Sequence, residues 1–534
     1  MIMQPKEVEG NLVDVLDGTI FPARIIIIDG KVYSVEPVAG TRENFILPGL
    51  IDAHIHIESS LLTPLRFAEA VLAHGTTSVV ADPHEIANVL GMEGIDYMVK
   101  EAEGSRLHIY FAAPSCVPAV KGQDYGGKVG WKDIRELLRS ERFVALGEVM
   151  DDSAVLDQDE EMMAKLEMAR MAGKPIDGHA PGLRGARLAS YIMAGITTDH
   201  ECVTDEEALE KFQRGMTIMA REGSAAKNLE ALMPFAKGHE CFLVCDDLGA
   251  IDLEKGHIDA VLRKAVSLGM DAVHAIQAVT LWPAKHYHLP GGVIREGKPA
   301  DLVVVKDLKG FQVLETWVDG EMVAMKGRTM FSCTPQQIRS AISIPKVEGE
   351  ELRLRHPEPT VKVRYQIALP EQIVGGVGEG ELQVLDGLVQ ADPSQDILLL
   401  AVVNRYRKAP ADLGFVSGFG IKKGAIASSV AHDSHNLIAV GTSPEYMAVA
   451  LSQVIAQGGG YAAFDGLTQA SLRLQLAGLM SDLPLDELAQ QERVIRGFVV
   501  DMGCALPSPF MTLSFQDPRF RRAVLGVNGY LVQE

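Results

Sequence analysis

Cysteine is scarce, with six in 534 residues. That is too few for a disulfide framework in so long a chain, so a reducing compartment, the cytoplasm, is expected. Cys241 and Cys245 stand four apart, but no second pair follows to complete a thiolate zinc site, and both read as buried strand residues. Long apolar runs are also missing. None approaches the roughly 20 residues that span a bilayer, and the opening MIMQPKEVEG lacks the apolar core of a signal peptide. Positive charge is short as well: 50 Lys and Arg face 71 Asp and Glu, a net charge of −21. That balance argues against nucleic acid or an anionic membrane as partner and leaves a small uncharged substrate.

What is there is an ordinary globular composition, 47% hydrophobic and 23% charged, in a chain too long for one core. From residue 46 to about 285, short apolar runs alternate with helix-like segments. The runs are FILPGLIDAHIH, TTSVVADPHE, LHIYFAAPSC, FVALGEV, KPIDGHA, GITTDHE, GMTIMAREGS and ECFLVCDD. Eight strands alternating with helices predict an α/β fold, a (β/α)8 TIM barrel whose active site forms at the strands' carboxyl ends. Residues 1–45 and 286–335 are both rich in short β-branched runs and turns, and predict one small β-sandwich domain built from both flanks. A further α/β domain is expected over 340–534. Its GxG elements lack a Rossmann context and read as turns.

Most of the barrel runs end in a polar or ionisable residue. His54 and His56, two apart on a strand, face one side, with Glu58 beyond them. Glu148, His179, His200 and Asp246 follow on runs four, five, six and eight. Each alone reads equally as a capping carboxylate or a solvated histidine. Together they are four imidazoles and two carboxylates at one barrel mouth, which repel or desolvate one another without a cation. Two divalent metals resolve this, with Glu148 bridging and the others filling the remaining positions. Such a pair lowers the pKa of a bound water and supplies a nucleophile at neutral pH.

These residues resemble the amidohydrolase superfamily, and within it the adenine deaminases. The superfamily pattern is the strand-one H-x-H in PGLIDAHIH, single histidines on strands five and six, and an Asp on strand eight. TLWPAKHYHL and GKPADLVVV also match. The narrower likeness rests on IDAHIHIESSLLTP, ADPHEIANVLG, LGEVMD, DGHAPGL, TDHECVT, VCDDL and, near the end, SVAHDSHNLIAVG. Hydantoinases and dihydroorotases bridge their metals with a carboxylated lysine, whereas FVALGEVMDD offers Glu148 and no lysine.

The resemblance implies hydrolysis of adenine by water to hypoxanthine and ammonia, in purine salvage, with two Mn(II) or Fe(II) ions. Zn(II) also suits the nitrogen and oxygen donors. Asp246 is placed to take the water's proton and return it to the leaving amine. Glu58, Glu85, His84 and Glu201 are the candidates for protonating the ring. Asp82, His84, Glu85 and Ser59 are the candidate substrate contacts; Asp82 reads equally as a helix cap, and Ser59 and Ser60 share that ambiguity. Arg221, Glu222 and Ser224 read either as site residues or as a surface ion pair with its neighbours. His432, Asp433 and His435 form either a further metal cluster or a polar loop. The Gly-rich GFGIKKG and GGGY suggest that the last domain approaches the mouth as a lid. A homo-oligomer, a dimer, is expected. The rival readings are an amidohydrolase of cyclic amides or other aminopurines, and a metal-free scaffold, which would show broken ligand positions.

Overall fold

A computed structural model describes residues 5–119, 125–224, 226–370 and 375–516. Its centre is a succession of eight short strands: β1 (Leu50–Ile55), β2 (Thr76–Ala81), β3 (His108–Ala113), β4 (Phe143–Val149), β5 (Ile176–Gly178), β6 (Thr198–Asp199), β7 (Thr217–Arg221) and β8 (Phe242–Val244). They coincide with the eight apolar runs, and every paired neighbour is parallel. The ladder runs unbroken from β1 to β5 and again from β6 to β8. Across the break, the Thr197 N–H donates to the Ile176 carbonyl at 2.9 Å. β8 meets β1 through the parallel bridge Ile55–Asp246. There the Asp246 N–H donates to the His54 carbonyl and the His56 N–H to the Asp246 carbonyl, at 3.0 and 3.3 Å. Ile51, Ala53, Val80, Ala112, Val144, Met219 and Val244 pack into one buried cluster.

Helices follow the strands for legible reasons. α1 (Pro64–Leu72) is capped by the Thr63 hydroxyl, which accepts the Arg66 N–H, and opens on Pro64, whose fixed φ suits the first turn. α2 (His84–Leu90) follows Pro83, and α3 (Ile258–Ser267) follows β8.

The flanking segments join in one eight-stranded sheet. Its hinge is Phe45–Pro48, parallel to Lys6–Asp14 on one side and antiparallel to Leu302–Val305 on the other. One small β-sandwich domain built from both flanks was expected. One continuous sheet results because this strand pairs along both edges. Leu12, Ile25, Ile27, Leu302, Val304 and Trp317 share its core.

The last part of the chain forms a nine-stranded, mainly antiparallel sheet. In its strand Leu398–Val403, Leu399 and Ala401 face the cluster under α4 (Pro444–Ala456), while Leu400 and Val402 face the cluster shared with the barrel. That is the period of two expected of a strand buried on both faces. This domain rests on the barrel mouth. The Ser481 N–H donates to the Leu61 carbonyl at 2.8 Å, and Arg66 Nε to the Asp482 carbonyl at 2.9 Å. The glycines expected to make that approach, Gly418, Gly459 and Gly460, instead lie against backbone of their own domain, at Ala368, Gly478 and Leu472. Contact with the mouth is made by the loop between β9 (Ala425–Ser428) and β10 (Leu437–Gly441). Cys241 and Cys245 are buried beside β8. Among the described residues no helix is long and apolar enough to cross a membrane.

Candidate active site

His54 is the penultimate residue of β1 with His56 just past its end, Glu148 is the penultimate residue of β4, and His179, His200 and Asp246 lie one or two residues beyond β5, β6 and β8. All six side chains converge. Glu148 Oε1 lies 3.1 Å from His56 Nε2 and 3.9 Å from His54 Nε2. Its Oε2 lies 2.8 Å from His179 Nδ1 and 3.3 Å from His200 Nε2. Asp246 Oδ1 is 3.4 and 3.2 Å from the Nε2 atoms of His54 and His56. One carboxylate therefore offers one oxygen to each of two imidazole groups. Asp246 holds a left-handed backbone, φ 60°, of a kind that concentrates at functional sites.

Donor and acceptor accounting tests whether cations fit here. The His56 Nδ1–H donates to the Asp82 carbonyl at 3.1 Å, so the neutral ring turns the lone pair of Nε2 toward two carboxylates. Acceptors facing acceptors call for a cation between them, and a backbone carbonyl on the far nitrogen is the usual outer partner of a metal-bound histidine. His54 Nε2 is buried without a hydrogen-bond partner among the described residues. The donor set, four nitrogens with two carboxylates and no thiolate, suits divalent metals.

Electrostatics run in the same direction. Burial penalises the charge of Glu148, yet His200, His179 and His56 hold its carboxyl well below the usual range. Burial opposes Asp246 too, and the imidazoles of His54 and His56 beside it, with His200 and Arg221 nearby, hold it well below as well. Burial, with the charge of Glu85 adding to it, pushes Glu58 up to about 7.

Residues 45–323 match the amidohydrolase family, and residues 372–517 match the adenine deaminase C-terminal domain. An adenine deaminase of Methanothermobacter thermautotrophicus is 45% identical over 510 residues, covering 95% of this chain and 94% of that protein. One from Salinibacter ruber is 42% identical over 514 residues, covering 95% and 93%. The chain belongs to the adenine deaminase family. Membership of these amidohydrolases implies use of divalent metal, and the imidazole and carboxylate groups at the mouth are able to hold it.

Other sequence-predicted residues in this adenine deaminase family member occupy less expected places. The Ser59 hydroxyl donates to Asp247 Oδ1 at 2.5 Å and the Ser60 hydroxyl to the Ile57 carbonyl at 2.6 Å. Neither caps α1, since Thr63 does. Asp82 does not cap α2 either. Its Oδ2 accepts the Glu148 N–H at 3.1 Å, which braces the backbone that carries the Glu148 carboxylate. His84 Nδ1 lies 3.6 Å from both Asp82 Oδ1 and Glu148 Oε1, at the edge of the six converging side chains. Glu58 Oε1 accepts the Ile86 N–H at 3.1 Å, and its Oε2 is buried with no hydrogen-bond partner among the described residues.

Glu85 departs furthest from expectation. His432 Nδ1 meets its Oε1 and His435 Nε2 its Oε2, both from the last domain. With both oxygens engaged, it is poorly suited to the direct ring-protonating or substrate-binding role expected of it. Burial opposes its charge, but His432, His435 and His84 hold the carboxyl well below its ordinary range. Arg221 is no surface residue. It is buried, pairs with both oxygens of Glu201, and donates from Nη1 to Asp246 Oδ2 at 2.8 Å. Glu222 pairs with Lys264 at 2.6 Å, and the Ser224 hydroxyl donates to Asp252 at 2.6 Å.

Sequence reasoning missed Asp52. Its Oδ1 accepts the N–H groups of His54 and Cys245, at 3.4 and 3.3 Å, and its Oδ2 lies 3.1 Å from His257 Nε2. One carboxylate thus ties together the backbones that carry His54 and Asp246. The signal was present: Asp52, His54 and His56 share the spacing of two.

Proposed function

We propose that the chain is an adenine aminohydrolase, a hydrolase of a C–N bond in a cyclic amidine, which turns adenine and water into hypoxanthine and ammonia in purine salvage. The observation that carries this reading is the division of Glu148 between two imidazole groups. His54, His56 and Asp246 would hold one divalent ion with Glu148 Oε1, and His179 and His200 a second with Oε2. Mn(II) or Fe(II) is the proposed pair, with Zn(II) next. Such ions lower the pKa of the attacking water and orient it.

Asp246 takes a proton from that water at Oδ1, while Arg221 holds Oδ2 and fixes the direction of the carboxylate. Glu58 gives a proton from Oε2, its free oxygen, to a ring nitrogen beside the reacting carbon. The new C–O bond forms, the exocyclic C–N bond breaks, and Asp246 passes its proton to the departing amine to give ammonia. As the carbonyl forms, the second proton of the water restores Glu58. Glu201 is less suited to the acid's part, since Arg221 occupies both of its oxygens. Asp82 and Ser59 act on this scheme through Glu148 and Asp247.

The working division of the chain is residues 1–45 with 286–335, residues 46–285, and residues 340–534, in a cytoplasmic homodimer. The test is metal analysis coupled to an assay on adenine, adenosine, guanine and cytosine. Ammonia and hypoxanthine from adenine with two ions per chain are expected. Equal turnover of adenosine would overturn a pocket built for the free base.

A further inference from the structure

The cluster of Glu85, His432 and His435 has the spacing of a third cation site. Proton accounting speaks against one. The Ala431 N–H donates to His435 Nδ1 at 3.2 Å, so that nitrogen is bare and the proton of the neutral ring sits on Nε2, where it is given to Glu85. A nitrogen that carries a proton has no lone pair for a metal. Glu85 is instead a carboxylate held by two N–H donors, and His432 makes its half of the clamp through Nδ1. This leaves His432 Nε2, which is buried and has no hydrogen-bond partner among the described residues.

A buried polar atom without a partner is costly, and such atoms gather around this mouth. His54 Nε2 is accounted for by a cation. Glu58 Oε2 and His432 Nε2 are not. Both groups border Glu85: Glu58 accepts the N–H of Ile86, the next residue in the chain, and His432 meets Glu85 itself. The imidazole is stacked on Phe515, centroids 4.5 Å apart and 3° from parallel, so its edge is what remains to meet a ligand. We infer that His432, contributed by the C-terminal domain, touches the substrate, with Nε2 hydrogen-bonded to a ring nitrogen of the purine opposite Glu58. Glu85 and His435 are then positioning residues that aim His432, and the barrel alone is an incomplete binding site. The inference rests on the adenine reading above.

The experiment uses the metal-loaded full chain, with hypoxanthine binding by calorimetry and adenine kinetics. H432N keeps a nitrogen toward Glu85 and removes the one toward the pocket. H432Q does the reverse. For H432N the Kd of hypoxanthine and the KM of adenine should rise about tenfold, as for one lost hydrogen bond to a buried base, with two ions still bound. H432Q should bind more tightly than H432N. If H432N proves insoluble, H432F, which keeps the stack on Phe515, replaces it with the same expectation. The reverse order of affinities, or unchanged Kd with a lower melting temperature, makes His432 a structural strut and overturns the inference. So does a third ion in the wild type that H432N loses. If the wild type neither releases ammonia from adenine nor binds hypoxanthine, the adenine reading fails first and this one with it.

Discussion

Glu148 and Glu85 are both buried glutamates flanked by histidines, yet they are wired in opposite senses. Around Glu148, a backbone carbonyl takes the proton of His56 Nδ1 and turns a bare Nε2 toward the carboxylate. Around Glu85, a backbone N–H faces His435 Nδ1 and forces the proton onto Nε2. The same pair of residue types turns a bare nitrogen toward the carboxylate in one place and makes a hydrogen-bonded clamp in the other. The group on the far nitrogen decides between them, and composition alone cannot.

The sharpest way to break this comparison is to neutralise each glutamate. Glu148→Gln should lose bound metal and activity together, by more than about a hundredfold, beyond what outer partners of metal ligands command. Unchanged metal content by elemental analysis would contradict its bridging place. Next in size is Arg221→Met, which strands Glu201 and Asp246 as buried charges. Breaking a buried pair costs about 3–5 kcal/mol, so the melting temperature should drop clearly, and adding Glu201→Gln should recover part of it. Equal stability of the single and double variants would refute the pairing. Glu85→Gln should keep both ions and lower kcat/KM about tenfold, an effect of about 1.4 kcal/mol. Loss of metal from this variant would erase the distinction from Glu148.

The smallest effect concerns a third glutamate, Glu492 on α5 (Leu485–Asp501), which has neither arrangement. Burial pushes it up to about 7 against the weaker opposing pull of Arg496, 3.9 Å away. A carboxyl raised in the folded state binds its proton more tightly there. Its stabilising share is therefore present in acid and lost as pH climbs through about 7. Glu492→Gln should flatten the fall in melting temperature between pH 5 and 8, and an unaltered pH profile would count against the shift.

Much of the barrel and its six converging residues was legible because strand periodicity and strand ends are local properties. His54, His56 and Glu148 could be read from spacing and from the run each one closes. What stayed hidden depends on contacts between distant segments. Nothing near Arg221 announces that Glu201 and Asp246 will enclose it, and nothing near Glu85 announces His432 and His435, more than three hundred residues away. The single flanking sheet was hidden likewise, since Phe45–Pro48 gains its second neighbour only from beyond the barrel. Serines 59 and 60 were ambiguous for another reason: a hydroxyl takes whichever acceptor the fold brings closest.

The closure of the ring has a mechanical consequence. β1 and β8 are joined by peptide groups of His54, His56 and Asp246, the same residues whose side chains are proposed to hold one of the metals. Whatever grips those side chains also fastens the seam. Stripping the ions with a chelator should loosen this edge before any other, so the amides of His56 and Asp246 should be early to exchange with deuterium. Nascent chains meet the same constraint in reverse, because the seam is completed only after β8 has been synthesised.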